Sequence, residues 1–395
     1  MRRILASLVL AAGLVGTAQA QSSEFGIRGL GLPGRGLSAR ALALGGGIGL
    51  FDGESSTNPA AIGMLTTTTA LFTTSGDYRN STTPEGSLSN RDTRFPQILI
   101  GGPIPRRPFA IAVSYSLLTD RDFTVVTDGV ATPRDVPVNV HDTLSSRGGI
   151  DDIQLGAAWL ASSHLVLGAG LHFLTGSNRL TSRRYWEDTT YQSPQETAEL
   201  SYGGLGVSVG AIWQPVHGFE LAGSYRHNGN VTVDRDSTGN GQVKFATATI
   251  GIVPMADAIS GAIRITPSPR LQLSGSITAS NWSRADSSLM AQGSPGSANT
   301  VEENFGIEIF RDMRRPLKYP IRLGVRNTTL PFLLIADGQP KEFGVSIGTG
   351  RRFAQERGGF DIAIQHVWRS QGAAYHENAT IITFGISVRP GGITP

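Results

Sequence analysis

Apolar and polar residues alternate in short segments along most of this chain. At Leu165, Leu167, Ala169, Leu171 and Phe173 every second position is apolar, with Val166, Gly168, Gly170 and His172 between them. The rhythm returns at Leu205, Val207, Val209, Ala211 and Trp213, and again at Ile382, Phe384, Ile386 and Val388, with Gly, Ser, Thr and Arg interleaved. A strand projects successive side chains to opposite faces, so each segment has one greasy face and one small or polar face. A soluble sandwich meets the same pattern. Here the alternation follows an export signal and runs to the end of the chain, with Gly, Ser and Arg on the second face. That combination points to a membrane barrel with lipid outside and a hydrated lumen inside.

The pattern predicts strand cores near 66–75, 95–102, 108–118, 150–160, 164–176, 199–213, 218–229, 256–266, 270–282, 304–312, 319–328, 341–351, 358–369 and 378–389. Long polar connections at 77–94, 119–149, 177–198, 230–255, 283–303 and 329–340 alternate with short ones, such as 103–107, 161–163 and 214–217. Up-and-down barrels show this alternation, with short turns at one membrane face and longer loops at the other. The expected fold is therefore all-β: a transmembrane antiparallel up-and-down barrel over residues 66–395, with about 14 strands. The span 243–255 is ambiguous and leaves twelve as the alternative count. Trp159, Trp213, Trp282, Trp368 and Tyr225 fall near strand ends, where interfacial girdles belong. Ordinary packing is the alternative for them.

Residues 1–20 read as a signal peptide. Arg2 and Arg3 supply the basic start, Ile4 to Val15 the apolar stretch, and Ala18-Gln19-Ala20 the cleavage site, which predicts Sec export. Beyond it no apolar run approaches the ~18 residues of a spanning helix, so any crossing must be made by strands. The chain has no Cys, which removes disulfides, thiolate zinc sites and thiol catalysis. Without Arg2 and Arg3 the charges nearly balance, and no basic face for nucleic acid stands out. Residues 21–65 are rich in Gly and Ala with little alternation: they suit compact packing inside something better than they suit a strand.

No catalytic or metal motif survives inspection, and no cofactor is expected. Gly206-Val207-Ser208-Val209-Gly210 and Gly344-Val345-Ser346-Ile347-Gly348 match the nucleophile-elbow pattern, but neither is followed by the helix an elbow needs. Two copies inside continued alternation indicate a repeating small/apolar texture. Gly29-x-Gly31-x-x-Gly34 lacks the preceding strand of a dinucleotide site. The seven His show no zinc-helix spacing.

Four stretches carry a resemblance: Asp52 to Ala60, ending Asn58-Pro59-Ala60; Gly206 to Asn228, including Trp213-Gln214-Pro215 and Leu221 to Arg226; Pro254 to Ala262 with Leu271 to Ser274; and Asn281-Trp282-Ser283. In this order the chain resembles the FadL/TodX-type outer-membrane transporters of hydrophobic compounds. It departs from them at Ala61, where the family usually has Gly, and at the C-terminus, where Pro390 to Pro395 replace the usual final aromatic residue.

The resemblance implies a barrel in a Gram-negative-type outer membrane, plugged by a hatch over residues 21–65. It implies passive uptake of a hydrophobic or amphipathic small molecule, such as a long-chain fatty acid. Outer-membrane lipid and the solute are then the partners; nucleic acid is not. Related barrels shuttle secreted cargo, so docking of a secreted protein without transport is the rival reading. Asn58, Pro59 and Ala60 would belong to the hatch, with a plain turn as the alternative. The run Leu330 to Ile335, with Phe332, Leu333 and Leu334, would form an external capture patch, or else extend a strand. Arg264, Arg322 and Arg326 would hold a carboxylate head group, or pair with Asp and Glu across the lumen. Pro103 and Pro105 are the expected site of a side opening in the wall.

Overall fold

The structure, a computed structural model, describes residues 23–84, 86–238, 248–291 and 294–390; the expected signal peptide lies outside the described residues. Among the described residues, seventeen strands form one hydrogen-bonded sheet. The first seven are β1 (Leu32–Pro33), β2 (Thr69–Thr83), β3 (Gly86–Pro103), β4 (Phe109–Asp120), β5 (Phe123–Ala131), β6 (Val138–Leu160) and β7 (Leu165–Trp186). Then come β8 (Gln195–Val216), β9 (Phe219–Thr238), β10 (Ala248–Pro254), β11 (Ala258–Ser268) and β12 (Leu271–Ser280). The last five are β13 (Thr300–Ile309), β14 (Ile321–Thr329), β15 (Lys341–Phe353), β16 (Gly358–Gln371) and β17 (Tyr375–Val388).

Fourteen of these close a cylinder: β2 to β4, β6 to β9 and β11 to β17, each antiparallel to its neighbours. Closure is made by β17 on β2, from Val388 opposite Ala70 to His376 opposite Thr82. Each expected strand core overlaps one of the fourteen. The other three are additions. β5 pairs with the outer part of β6, and β1 belongs to the N-terminal segment. β10 pairs with Asn230 to Arg235 of β9. The described part of the ambiguous span 243–255 is therefore a strand outside the barrel ring.

Alternation sets the faces as expected. Leu167, Leu171, Leu205, Val207, Val209, Ile382 and Ile386 are exposed on the outside, whereas Val166, His172, Ser208 and Thr383 are buried inside. Closing the sheet pairs every wall strand on both sides, which is what hydrocarbon demands of a backbone. The expected long loops at 77–94, 119–149, 177–198 and 230–255 are mostly strand instead. β6, β7, β8 and β9 are 23, 22, 22 and 20 residues long, about twice what a bilayer needs. Above the lipid the outward face has no need to be apolar, so the alternation fades while the ladder continues.

Residues 23–65 fill the lumen as a plug of short helical turns, at Glu24–Gly26, Ala39–Ala43, Gly49–Phe51 and Pro59–Met64. Three turns carry side-chain caps: Ser23 accepts from the Phe25 amide, Ser38 from the Ala41 amide and Asn58 from the Ala60 amide. Leu44, Ile48, Leu50, Phe51 and Ile62 of the plug join Leu71, Leu99, Ala112, Val166 and Ile212 of the wall in one apolar core.

Candidate functional site

Buried charge fastens one side of the plug. Arg35 donates to Glu302 at 3.1 Å and to Glu342 at 2.8 Å, and Arg40 to Glu308 at 2.6 Å. Glu342 also receives Arg326 at 2.7 Å and Arg369 at 2.6 Å, and Arg369 continues to Glu377. Glu54 of the plug accepts from Arg352 and Arg389 of the wall. Glu342, Glu308 and Glu54 each hold two or more guanidinium groups, and Glu377 adds the Ser23 and Ser81 hydroxyls to Arg369, the kind of pairing that makes a buried charge tolerable.

Shape seats the other side. Pro59 opens the last helical turn, and Asn58 donates through its side-chain amide to the Leu50 carbonyl at 2.8 Å. A Cβ on wall residue Gly210 would stand 1.9 Å from Asn58 Oδ1, and one on Gly168 would stand 2.2 Å from the Ala60 nitrogen. Only glycine at these two positions lets the Asn58-Pro59-Ala60 corner reach the wall.

Above the plug, toward the long strands, lies a cavity of about 220 Å³. Leu37, Leu50 and Pro33 of the plug give it an apolar floor, while Ser224, Ser260 and Thr278 of the wall give it a hydroxyl-bearing side. It reaches Gly34, Leu117 and Leu118, at a place where the adjacent barrel strands β3 and β4 part. There β3 and β4 pair only from Gln97 opposite Ser116 to Pro103 opposite Ala110. Beyond that, β4 turns its free edge to the plug: Leu32 and Pro33 of β1 lie opposite Asp120 and Thr119, and Gly34 donates to the Leu118 carbonyl at 2.8 Å. Arg94 of β3 crosses the parting to Asp120 of β4 as an ion pair.

Of the predicted ligand residues, the three Arg and Phe332 to Leu334 do not line this cavity, whereas Leu330 and Pro331 at the start of the apolar run do. Arg322 is clamped between Glu308 at 2.8 Å and Asp361 at 2.6 Å, Arg326 sits on Glu342, and Arg264 pairs with Glu220 while lying 4.8 Å over the Phe51 ring. None of the three lines the cavity; the pairing alternative describes their geometry. The Leu330 to Ile335 run is not an external patch. Phe332 is 2% exposed, edge-on to Trp282 at 5.2 Å, and Leu330 and Leu334 cluster with Phe25 and Leu32; Leu333 is half-buried. The run folds inward because the plug offers it apolar partners, and Gly29 leaves room for the Phe332 ring. Pro103 and Pro105 do not mark the parting: Pro103 is in register with Ala110, Pro105 is in the short turn, and the strands separate at the other end. Sequence reasoning missed the parting. Its only trace is charge inside strand segments, Asp77, Arg79, Asp92 and Arg94, where a lumen-facing position has to be paired.

A closed antiparallel cylinder with an apolar exterior, a lumen plug and a cavity at a parted seam defines a plugged membrane β-barrel. Within that class the chain belongs to the BamG family, whose sequence profile matches residues 1–351. No curated protein sequence matches it. Among solved structures, a Pseudomonas aeruginosa FadL homologue is similar at 12% identity with a TM-score of 0.58, covering 91% of this chain and 99% of that one. The toluene transporter TodX of Pseudomonas putida aligns at 10% identity and TM-score 0.55, over 90% and 99% of the two chains. The Ralstonia pickettii toluene transporter TbuX aligns at 13% and 0.54, over 90% and 98%. At these identities the likeness is one of fold. The FadL/TodX resemblance thus holds for architecture, and the family is BamG.

Proposed function

We propose that the protein is an outer-membrane channel for passive uptake of a hydrophobic or amphipathic small molecule, with long-chain fatty acids among the candidates. One observation carries the reading: the cavity above the plug opens on the seam where β3 and β4 part. A solute held there is one wall away from lipid. The mixed lining suits a molecule with an apolar body and a polar end, because the floor is aliphatic and the side is hydroxylated. The solute enters from the long-strand end, rests in the cavity and leaves sideways between β3 and β4. Sideways exit is favoured over expulsion of the plug, since breaking a buried ion pair costs about 3–5 kcal/mol and the plug is held by several. Asn58, Pro59 and Ala60 then keep the hatch seated during transport. Likeness in fold to channels named as toluene transporters supports the solute class, and export from residues 1–20 fits the location.

The test is uptake of a fluorescent fatty acid into liposomes carrying the purified full chain. Uptake above that of protein-free liposomes supports the channel. No uptake with any apolar or amphipathic solute, together with a stable secreted partner in pull-down, supports the docking role instead.

A further inference from the structure

On the lumen face of three adjacent strands, the fold assembles side chains that are far apart in sequence. Ser208 of β8 lies 2.8 Å from Nε2 of His172 on β7, whose Nδ1 lies 2.9 Å from a carboxylate oxygen of Asp152 on β6. Arg226 of β9 donates to the second Asp152 oxygen at 2.7 Å. A carboxylate holding an Arg is ionised and can only accept, so His172 donates from Nδ1. Nε2 is then the acceptor, and the Ser208 hydroxyl donates to it. This is the hydrogen-bond order of a serine nucleophile, its base and the group that orients the base. Both Ser208 and His172 line the cavity above the plug.

A second, independent observation points the same way. The Gln154 side chain is 3% exposed, and its Oε1 accepts from Ser114 at 3.3 Å. Its Nε2 is buried and has no hydrogen-bond partner among the described residues. That nitrogen lies 2.8 Å, and Ser208 Oγ 2.6 Å, from the point where a Cβ on Gly170 would stand. An unused donor therefore borders the same small space as the hydroxyl, and the missing side chain of Gly170 keeps that space clear. A buried orphan donor is costly unless something occupies it, and an anionic oxygen beside the hydroxyl would.

We propose that Ser208, His172, Asp152 and Gln154 form a hydrolytic site for small carboxylic esters that enter the cavity. Ser208 Oγ bonds to the ester carbonyl carbon while its proton passes to His172 Nε2. The carbonyl electron pair moves onto oxygen, where the Gln154 N–H stabilises it. Collapse breaks the ester C–O bond, and the leaving alcohol takes the proton from His172. Water, deprotonated by His172, then attacks the acyl-Ser208 carbonyl; the bond from that carbon to Oγ breaks, Oγ takes the proton back from His172, and a carboxylic acid is released. Water is the only co-reactant. Ser208, His172 and Gln154 touch the reacting atoms; Asp152 is a positioning residue. The site stands whether or not the barrel transports anything.

The test treats the detergent-solubilised full chain with a small fluorophosphonate and maps the adduct by mass spectrometry. One phosphonyl group per chain is expected on Ser208. Ser208→Ala should abolish it, and His172→Gln should slow it by about a hundredfold or more. Gln154→Ala should keep the Ser208 contact chain but lower turnover of p-nitrophenyl acetate by about a hundredfold. Protein that retains a heat-modifiable gel mobility yet carries no adduct at Ser208, or turns over ester equally well as Ser208→Ala, overturns the proposal. The contacts would then be lumen packing alone.

Discussion

Between Arg35 and Glu54 the plug is held to β13, β15 and the end of β17 by buried charge. Between Asn58 and Leu65 it is held to the inward faces of β6, β7 and β8 by close approach at glycine. Both halves are equally buried; Ala41 and Ala60 are each inaccessible to solvent. They differ in what fixes position. A carboxylate such as Glu342, shared by Arg35, Arg326 and Arg369, ties three elements to one point. The Asn58-Pro59-Ala60 corner is located by a fit at Gly168 and Gly210 that any added atom would spoil. Charge places the plug against β13, β15 and the end of β17, and the uncharged corner lies across the lumen from it.

The comparison can be broken most severely at Glu342. Glu342→Ala removes the carboxylate shared by three guanidinium groups and leaves Arg326 without a partner in a buried site, while Arg35 keeps Glu302 and Arg369 keeps Glu377; it should cost about 3–5 kcal/mol. Urea unfolding in detergent, followed by the mobility shift of unheated samples, would measure it. Gly168→Leu attacks the other half. Its side chain would collide with the Ala60 backbone, at a stability cost of about 1–3 kcal/mol. Because the corner must move, single-channel conductance in planar bilayers should rise, while Glu342→Ala should loosen the opposite side of the plug. Asn58→Ala removes only the cap and the bond to Leu50, and should cost about 0.5–2 kcal/mol in the same unfolding assay. Arg94→Ala takes the cation from Asp120, whose side chain is largely buried at the β3–β4 parting; it should lower the unfolding midpoint less than Glu342→Ala does, because one carboxylate and not a shared cluster is affected, and should speed solute uptake.

The barrel was legible from the sequence because lipid imposes a rule on every second residue, and Leu167, Leu205 and Ile382 obey it. Strand ends were not legible where that rule stops: β6 to β9 continue past the bilayer as paired backbone whose outward side chains are no longer regularly apolar, while Leu200, Tyr202, Val231 and Val233 still turn inward. The plug could be read from Gly- and Ala-rich residues 21–65, since a narrow lumen selects small side chains. Its fastenings could not, because Arg35 and Glu342 are separated by most of the barrel and meet only when the sheet closes. Phe332 looked like a surface patch because its partners, Trp282 and the plug, come from other parts of the chain. Ser208 was set aside for want of a helix after it, and its contacts with His172 and Asp152 follow from strand register, which local motifs do not encode.

The central claim is that solute leaves through the seam between β3 and β4. The chain has no native cysteine, so Arg94→Cys and Asp120→Cys can be combined and joined by a reducible bifunctional thiol reagent. Fatty-acid uptake into liposomes, followed before and after reduction, should be blocked while the link holds and recover when it is cut. Equal uptake by linked and reduced protein would contradict the account.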